Sequence, residues 1–268
     1  MKYALLIGIL YDKTSMRLKG TSNDIHSMKQ LLLEWGFREE NIFILNEGDG
    51  NSPTGFNINT TLNKFVSNLR NGDKAVIFYS GHGMLVKNKL GNKESCIIPM
   101  DYKKAGVITS ETIRYYLNKI PSGVNVFCLF DCCNSGSICD LKYHIFDTSY
   151  KKDVSSKMKK YDNGEWVMRQ CKNINASKTG SGTIETTANI VSLSGCWDDQ
   201  VSYDLIKNGA LTMAFLSVIK FFKPETLDFE KLLQCIRGAT LFLRVRQTPQ
   251  LMIGRTLPDV SLKDFIIT

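Results

Sequence analysis

Short, nearly continuous apolar runs punctuate the chain: "YALLIGIL" at 3–10, "NIFIL" at 41–45, "KAVIFYS" at 74–80, "VNVFCLF" at 124–130 and "NIVSLSG" at 189–195. They are rich in β-branched and aromatic residues and show little alternation, the pattern of strands buried on both faces. The stretches between them have helical spacing. In "SNDIHSMKQLLLEWGF" the apolar positions Ile25, Met28, Leu31, Leu32 and Trp35 lie on one face, Ser22, Asn23 or Asp24 offers a cap, and Gly36 marks a stop. "NINTTLNKFVSNLRNGD" and "TSETIRYYLNKI" read the same way. Two more helices are expected in "GALTMAFLSVIKFF" and "DFEKLLQCIRGATLFLRV", split by Pro224, and a last strand in "TPQLMIG". Strand and helix alternate, which predicts an α/β fold: a largely parallel sheet with helices on both faces.

At 268 residues, the chain can bury a sizeable core. Nothing in it approaches the run of about 18 apolar residues that crosses a membrane. "MKYALLIGIL" has the charge and apolar stretch of a signal peptide but no small-residue cleavage site. A first core strand is the better reading, leaving no room for a prodomain. Three parts are expected: a large part over 1–150, a basic loop or linker over 151–180, and a small part over 181–268 that shares the same sheet.

Charge changes the picture only locally. The net charge is +8, and residues 151–178 hold eight basic side chains against Asp153, Asp162 and Glu165. That segment is polar and aperiodic, so an exposed loop is expected rather than a nucleic-acid-binding face. The eight cysteines show no paired zinc spacing, and Cys132 and Cys133 are adjacent, a poor geometry for a bond to each other. Free thiols in a reducing, cytoplasmic compartment are expected.

The candidate chemistry lies at two strand ends. "FYSGHG" finishes with His82 and "FDCCNSG" with Cys132 and Cys133. In open α/β sheets, sites form outside the carboxyl ends of the strands, and neighbouring strands are about 4.8 Å apart. An imidazole beside a thiol can take its proton and later protonate a leaving amine. Gly81 and Gly83 let the backbone bend around His82. Peptide N–H groups near Cys133, Gly136 and the Gly83 turn are the candidate oxyanion donors. Taken alone, a turn histidine or a pair of small core cysteines would mean little; together at the ends of one sheet they point to a thiol nucleophile.

"YSGHG" and "DCCNSG" resemble the histidine and cysteine motifs of the metacaspases, which share the caspase–haemoglobinase fold. "ALLIGI", "LKGTSNDIHSMKQLL", "CIIPMDY", "SLSGCWDDQVSYD", "GALTMAFL" and "TPQL" are similar to further family blocks in the same order. The resemblance implies a caspase-like three-layer sandwich and a cysteine endopeptidase acting on proteins or peptides. Cys133 would be the nucleophile, His82 the general base, and Cys132 a packing residue. It also implies cleavage after Arg or Lys, with Asp24, Ser80 and Asp131 lining an acidic pocket where a cationic side chain meets charge-assisted acceptors. A helix N-cap is an equal alternative for Asp24.

Two features depart from the family pattern. Asn134 stands where a histidine commonly follows the nucleophile. The chemistry itself needs no cofactor, but many members take Ca2+ as an activator, and here the matching positions are Asp140, Glu94, Ser110 and Glu111. With a serine replacing one carboxylate, weak calcium binding or none is expected. The basic loop is a candidate for self-cleavage, and Trp197 for a wall of the site. The resemblance leans towards a monomer. The rival reading is a catalytically weak relative that binds basic peptides.

Overall fold

The computed structural model describes residues 1–47, 50–133, 135–146, 185–195, 208–245, 247–256 and 261–266, and the backbone of 167–170. Asn134, Trp197 and nearly all of the basic segment lie outside the described residues.

One eight-stranded sheet forms the centre of the molecule. In chain order its strands are β1 (Lys2–Gly8), β2 (Ile42–Asn46), β3 (Lys74–Ser80), β7 (Asn125–Asp131), β8 (Tyr143–Phe146), β9 (Val167–Gln170), β10 (Asn189–Ser194) and β11 (Gln250–Ile253). Their spatial order is β2-β1-β3-β7-β10-β11-β8-β9. The first five run parallel, whereas β11, β8 and β9 attach antiparallel. β9 lies within the basic segment, so part of that stretch is a sheet-edge strand rather than loop.

A small antiparallel sheet of β4 (Gly83–Lys87), β5 (Lys93–Ile97) and β6 (Ile108–Thr109) adjoins the first. Its strands are short, β4 is nowhere fully buried, and the hydrophobic pattern does not mark them out.

Helices cover both faces. On one lie α2 (Gly55–Asn68), the short α3 (Tyr102–Ala105) and α4 (Ser110–Leu117). Ile58, Leu62, Phe65, Ile113 and Leu117 pack there against Leu5, Ile77, Tyr79, Cys128 and Phe130. On the other lie α1 (Thr21–Glu34), α5 (Ala210–Phe221), α6 (Phe229–Phe242) and α7 (Leu262–Ile266). Their Met28, Leu32, Phe215, Leu233 and Phe265 meet Leu6, Phe78, Phe127, Leu129 and Leu193. Alternate residues of β3 and β7 thus feed two cores, which is why their sequences are apolar without a break. This is the α/β three-layer architecture expected from the sequence.

Side-chain caps start three of the helices. Thr54 accepts from the Asn57 N–H at 3.1 Å, Thr109 from Thr112 at 3.4 Å and Asp228 from Lys231 at 2.6 Å. α5 starts at Gly209 with no side-chain cap of its own, and the reason lies in the site.

Candidate active site

β3 and β7 are parallel neighbours in a register that pairs Ser80 with Asp131. Both strands then leave the sheet, and Gly81 N–H still reaches the Asp131 carbonyl at 3.4 Å. His82 and Cys133, each two residues past the paired positions, therefore emerge side by side. The contact is closest at Gly83: a Cβ there would fall 2.2 Å from the Cys133 carbonyl and 3.0 Å from Cys132 Sγ. Only a residue without a side chain allows the two loops to approach this closely. Cys132 is buried in the core under the loop, while Cys133 is only partly buried. The six described cysteines are unbridged thiols.

His82 is held from several sides. Its backbone N–H donates to Tyr11 Oη at 3.0 Å, and its carbonyl accepts from Tyr79 Oη at 2.7 Å and from the Ile98 N–H at 3.2 Å. The Tyr11 ring lies 4.7 Å from the imidazole, and Tyr11 Oη in turn donates to the Ile98 carbonyl at 2.6 Å. His82 Nε2 is 2.7 Å from the Met16 carbonyl. A carbonyl only accepts, so this contact assigns the proton of a neutral ring to Nε2 and leaves the Nδ1 lone pair as the basic site. Neither tyrosine stands out in the sequence, because Tyr79 closes an apolar run that reads as core and Tyr11 opens a polar stretch that reads as loop.

The three pocket positions also come together. Asp24, Ser80 and Asp131 are 0%, 2% and 5% exposed. Ser80 Oγ donates to Asp24 Oδ2 at 2.7 Å. Asn208 Nδ2 donates to Asp24 Oδ1 at 2.7 Å, and the Gly209 N–H reaches both Asp24 oxygens at 3.1 Å. Asp131 Oδ2 accepts from the Thr212 N–H and hydroxyl, each at 2.8 Å. The N-terminus of α5 is therefore capped from outside, by the two carboxylates, and its partial positive charge faces them. A Cβ on Gly209 would lie 2.2 Å from Asp131 Oδ2 and 3.2 Å from Asp24 Oδ2, so the two acids flank this one glycine. Burial, reinforced by the Asp131 charge, pushes the Asp24 carboxyl up to about 7.

Asp24 is not the N-cap of α1. The helix begins at Thr21 after Gly20, so Asp24 sits inside the first turn and turns its carboxylate into the protein. One turn earlier on the same face, Thr21 is 2% exposed and its hydroxyl has no hydrogen-bond partner.

The positions matched to a calcium site do not assemble one. Calcium takes six to eight oxygen ligands, and the described residues hold no group of three or more His, Cys, Asp or Glu that could gather around a metal. Asp140 Oδ2 is 2.5 Å from Arg114 Nη1. Glu94 Oε1 accepts from the Glu111 N–H at 2.8 Å and from Ser110 Oγ at 3.3 Å. Glu94 and Glu111 thus meet through a helix start, and Asp140 is engaged by a guanidinium. The residues present do not fit the ion.

Comparison with known proteins bears on what such a site belongs to. Residues 2–142 match the family profile of the metacaspase, peptidase C14 domain. The chain belongs to the metacaspase family. It is 31% identical to Metacaspase-1 of Schizosaccharomyces pombe over 294 residues, spanning 97% of this chain and 68% of that protein. Metacaspase-1 of Mycosarcoma maydis is 29% identical, with 92% and 69% covered. Metacaspase-2 of Arabidopsis thaliana is 28% identical, with 100% and 62% covered. A crystal structure of a Geobacter sulfurreducens protein superposes with a TM-score of 0.67 over 100% of this chain and 99% of that one; at 20% identity it speaks to the fold alone. Membership places this metacaspase among the cysteine endopeptidases, hydrolases of peptide bonds. Among the described residues no helix is long and apolar enough to cross a membrane.

Proposed function

We propose that this metacaspase cleaves proteins after Arg or Lys, with Cys133 as nucleophile and His82 as general base. The observation that carries the reading is the close approach of Gly83 to the Cys133 carbonyl and the Cys132 side chain, which supports a His82 loop lying against the Cys133 loop.

In the proposed cycle, the Nδ1 lone pair of His82 takes the Cys133 proton as sulfur attacks the scissile carbonyl. The carbonyl oxygen gains charge and is met by peptide N–H groups near Cys133; one such donor contributes about 3 kcal/mol to lowering the barrier. The imidazolium then gives its proton to the departing amine, leaving an acyl-enzyme. Water, deprotonated by the same imidazole, attacks that thioester and releases the acid. The Met16 carbonyl supports the required tautomer throughout.

The charge preference rests on Asp24 and Asp131. A substrate guanidinium or ammonium between them would offset their mutual repulsion and donate charge-assisted bonds. The unpartnered Thr21 hydroxyl would be a further acceptor or donor on that wall. The Asp24 carboxyl, already poised near neutrality, supports a site that becomes fully anionic when a cation enters. The unbridged thiols are in keeping with a reducing, cytoplasmic setting.

Turnover of short fluorogenic peptides tests the reading. Peptides ending in Arg or Lys are expected to be cut at least about 100-fold more efficiently than those ending in Ala or Asp. His82→Ala should cost about 10²–10⁴-fold, and Cys133→Ala should abolish turnover. Binding of basic peptides without turnover would replace the peptidase reading with that of a peptide-binding module, and undiminished activity of Cys133→Ala would move the nucleophile elsewhere.

A further inference from the structure

The segment after the nucleophile is a series of tight turns with external anchors. Ser135 Oγ donates to the Cys132 carbonyl at 2.8 Å, the Ile138 N–H to the Ser135 carbonyl at 3.2 Å, and the Asp140 N–H to the Ser137 carbonyl at 2.9 Å. Ser137 Oγ and Ser95 Oγ of β5 are 2.8 Å apart. Ile138, Cys139 and Leu141 are each 1% exposed, so the turns are seated on the core. At the far end Asp140 has φ of 44°, the left-handed region that costs most residues strain but which Asp tolerates better than most. That strained residue is the one gripped by Arg114 of α4, at 2.5 Å. Glu111 lies one turn before Arg114 on the same helix.

We propose that Arg114 is a tethered cation that takes, at Asp140, the place a divalent ion would need, and that through Asp140 it positions the turns following Cys133. An arginine carries its charge at every relevant pH and fixes a carboxylate in direction as well as distance. A calcium ion would have to displace a guanidinium held permanently on α4 and would find Glu94 already engaged at the helix start. The chain is therefore independent of calcium at this place, and Arg114 is a positioning residue rather than a catalytic one. The kinetic part of this proposal rests on the Cys133 reading; the binding and exchange parts do not.

The test uses the full chain. Titration calorimetry with calcium chloride should show no binding up to about 1 mM, the weak end of known protein sites. Amide hydrogen exchange in 135–141 should become at least about tenfold faster in Arg114→Ala, with β3 and β7 unchanged, since local opening is read separately from the core. In Arg114→Ala, kcat on an Arg-ended peptide should fall about tenfold at constant KM, as for a change that touches only the reacting geometry, with Arg114→Lys restoring part. If Arg114→Ala does not fold, Asp140→Asn keeps the side-chain shape, loses the ion pair and should give the same exchange result. Calcium binding below about 1 mM to the unaltered protein, or wild-type exchange in the folded variants, would overturn the proposal. Absence of turnover in the unaltered protein would instead count against the peptidase reading and leave the calorimetry and exchange results to decide this one.

Discussion

At Asp24, burial and the neighbouring Asp131 carboxylate leave the side chain able to hold a proton near neutral pH. The same carboxylate accepts from Ser80, Asn208 and the start of α5. Its electrostatic and structural duties can be separated by Asp24→Asn, which keeps an acceptor oxygen and loses the charge. Discrimination between Arg-ended and neutral-ended peptides is expected to fall at least about tenfold, because one of two charged acceptors is lost. The melting temperature at pH 8 should not fall, since ionising a buried carboxyl beside another is no longer required. Asp131→Ala should behave differently. It leaves two buried donors of Thr212 without their acceptor, at a cost of about 1–3 kcal/mol. A drop in melting temperature for Asp24→Asn as large as that for Asp131→Ala would mean that Asp24 is chiefly a cap for α5.

The elements carry geometry that no single side chain supplies. Gly83 starts β4 and ends the His82 turn, and its bare Cα allows the Cys133 carbonyl to approach. Gly83→Ala is expected to push the two loops apart and lower kcat at least about 100-fold, since a displacement near 1 Å can cost that much. Near wild-type kcat for the folded variant would show that the loops adapt. Much of this level was legible beforehand. The unbroken hydrophobicity of β3 and β7 marked them as strands buried on both faces, and the candidate motifs do lie at neighbouring ends of the two. The antiparallel strands were harder. β4 is short and nowhere fully buried, β5 opens on Lys93 and Glu94 before its buried end, and β9 lies in a charge-rich stretch whose composition reads as loop. Tertiary pairing rather than local pattern makes them strands: β4 and β5 pair with each other across a short hairpin, and β9 pairs with β8. The trans-capping of α5 was hidden because "NGALT" lacks a side-chain cap, and the acids that supply it lie 81 and 185 positions earlier than the groups they cap. Tyr11 and Tyr79 likewise show their hydroxyl partners only once β1 and β3 lie together.

Across the whole molecule, two buried titratable groups pull stability in opposite directions with pH. Asp24 is raised from 3.8 to about 7. Between those values the folded state holds a proton that the unfolded chain has released, so its contribution is full below about pH 4 and is lost as pH rises through 7. His144 is pushed down to about 3, first by burial and then by Arg237. It stays neutral in the fold, and its contribution is lost as pH falls below the ordinary 6.5. Between pH 6.5 and 8 His144 is silent, so Asp24 should lower the melting temperature of the free chain over that window. A small cationic ligand such as agmatine draws Asp24 towards its charged form, and should raise the melting temperature more at pH 8 than at pH 6. Equal shifts at both pH values would place the ligand outside the two carboxylates.

The proposed activity needs the sulfur of Cys133 to be activated beside a pocket for a cation. Mass spectrometry of the chain after brief treatment with an arginine-ended peptidyl chloromethyl ketone reads both at once. The expected result is one adduct on Cys133, strongly slowed in His82→Ala and at least about 100-fold slower with a neutral residue in place of arginine. An adduct on Cys132, or equal labelling rates for the arginine and neutral reagents, would contradict it.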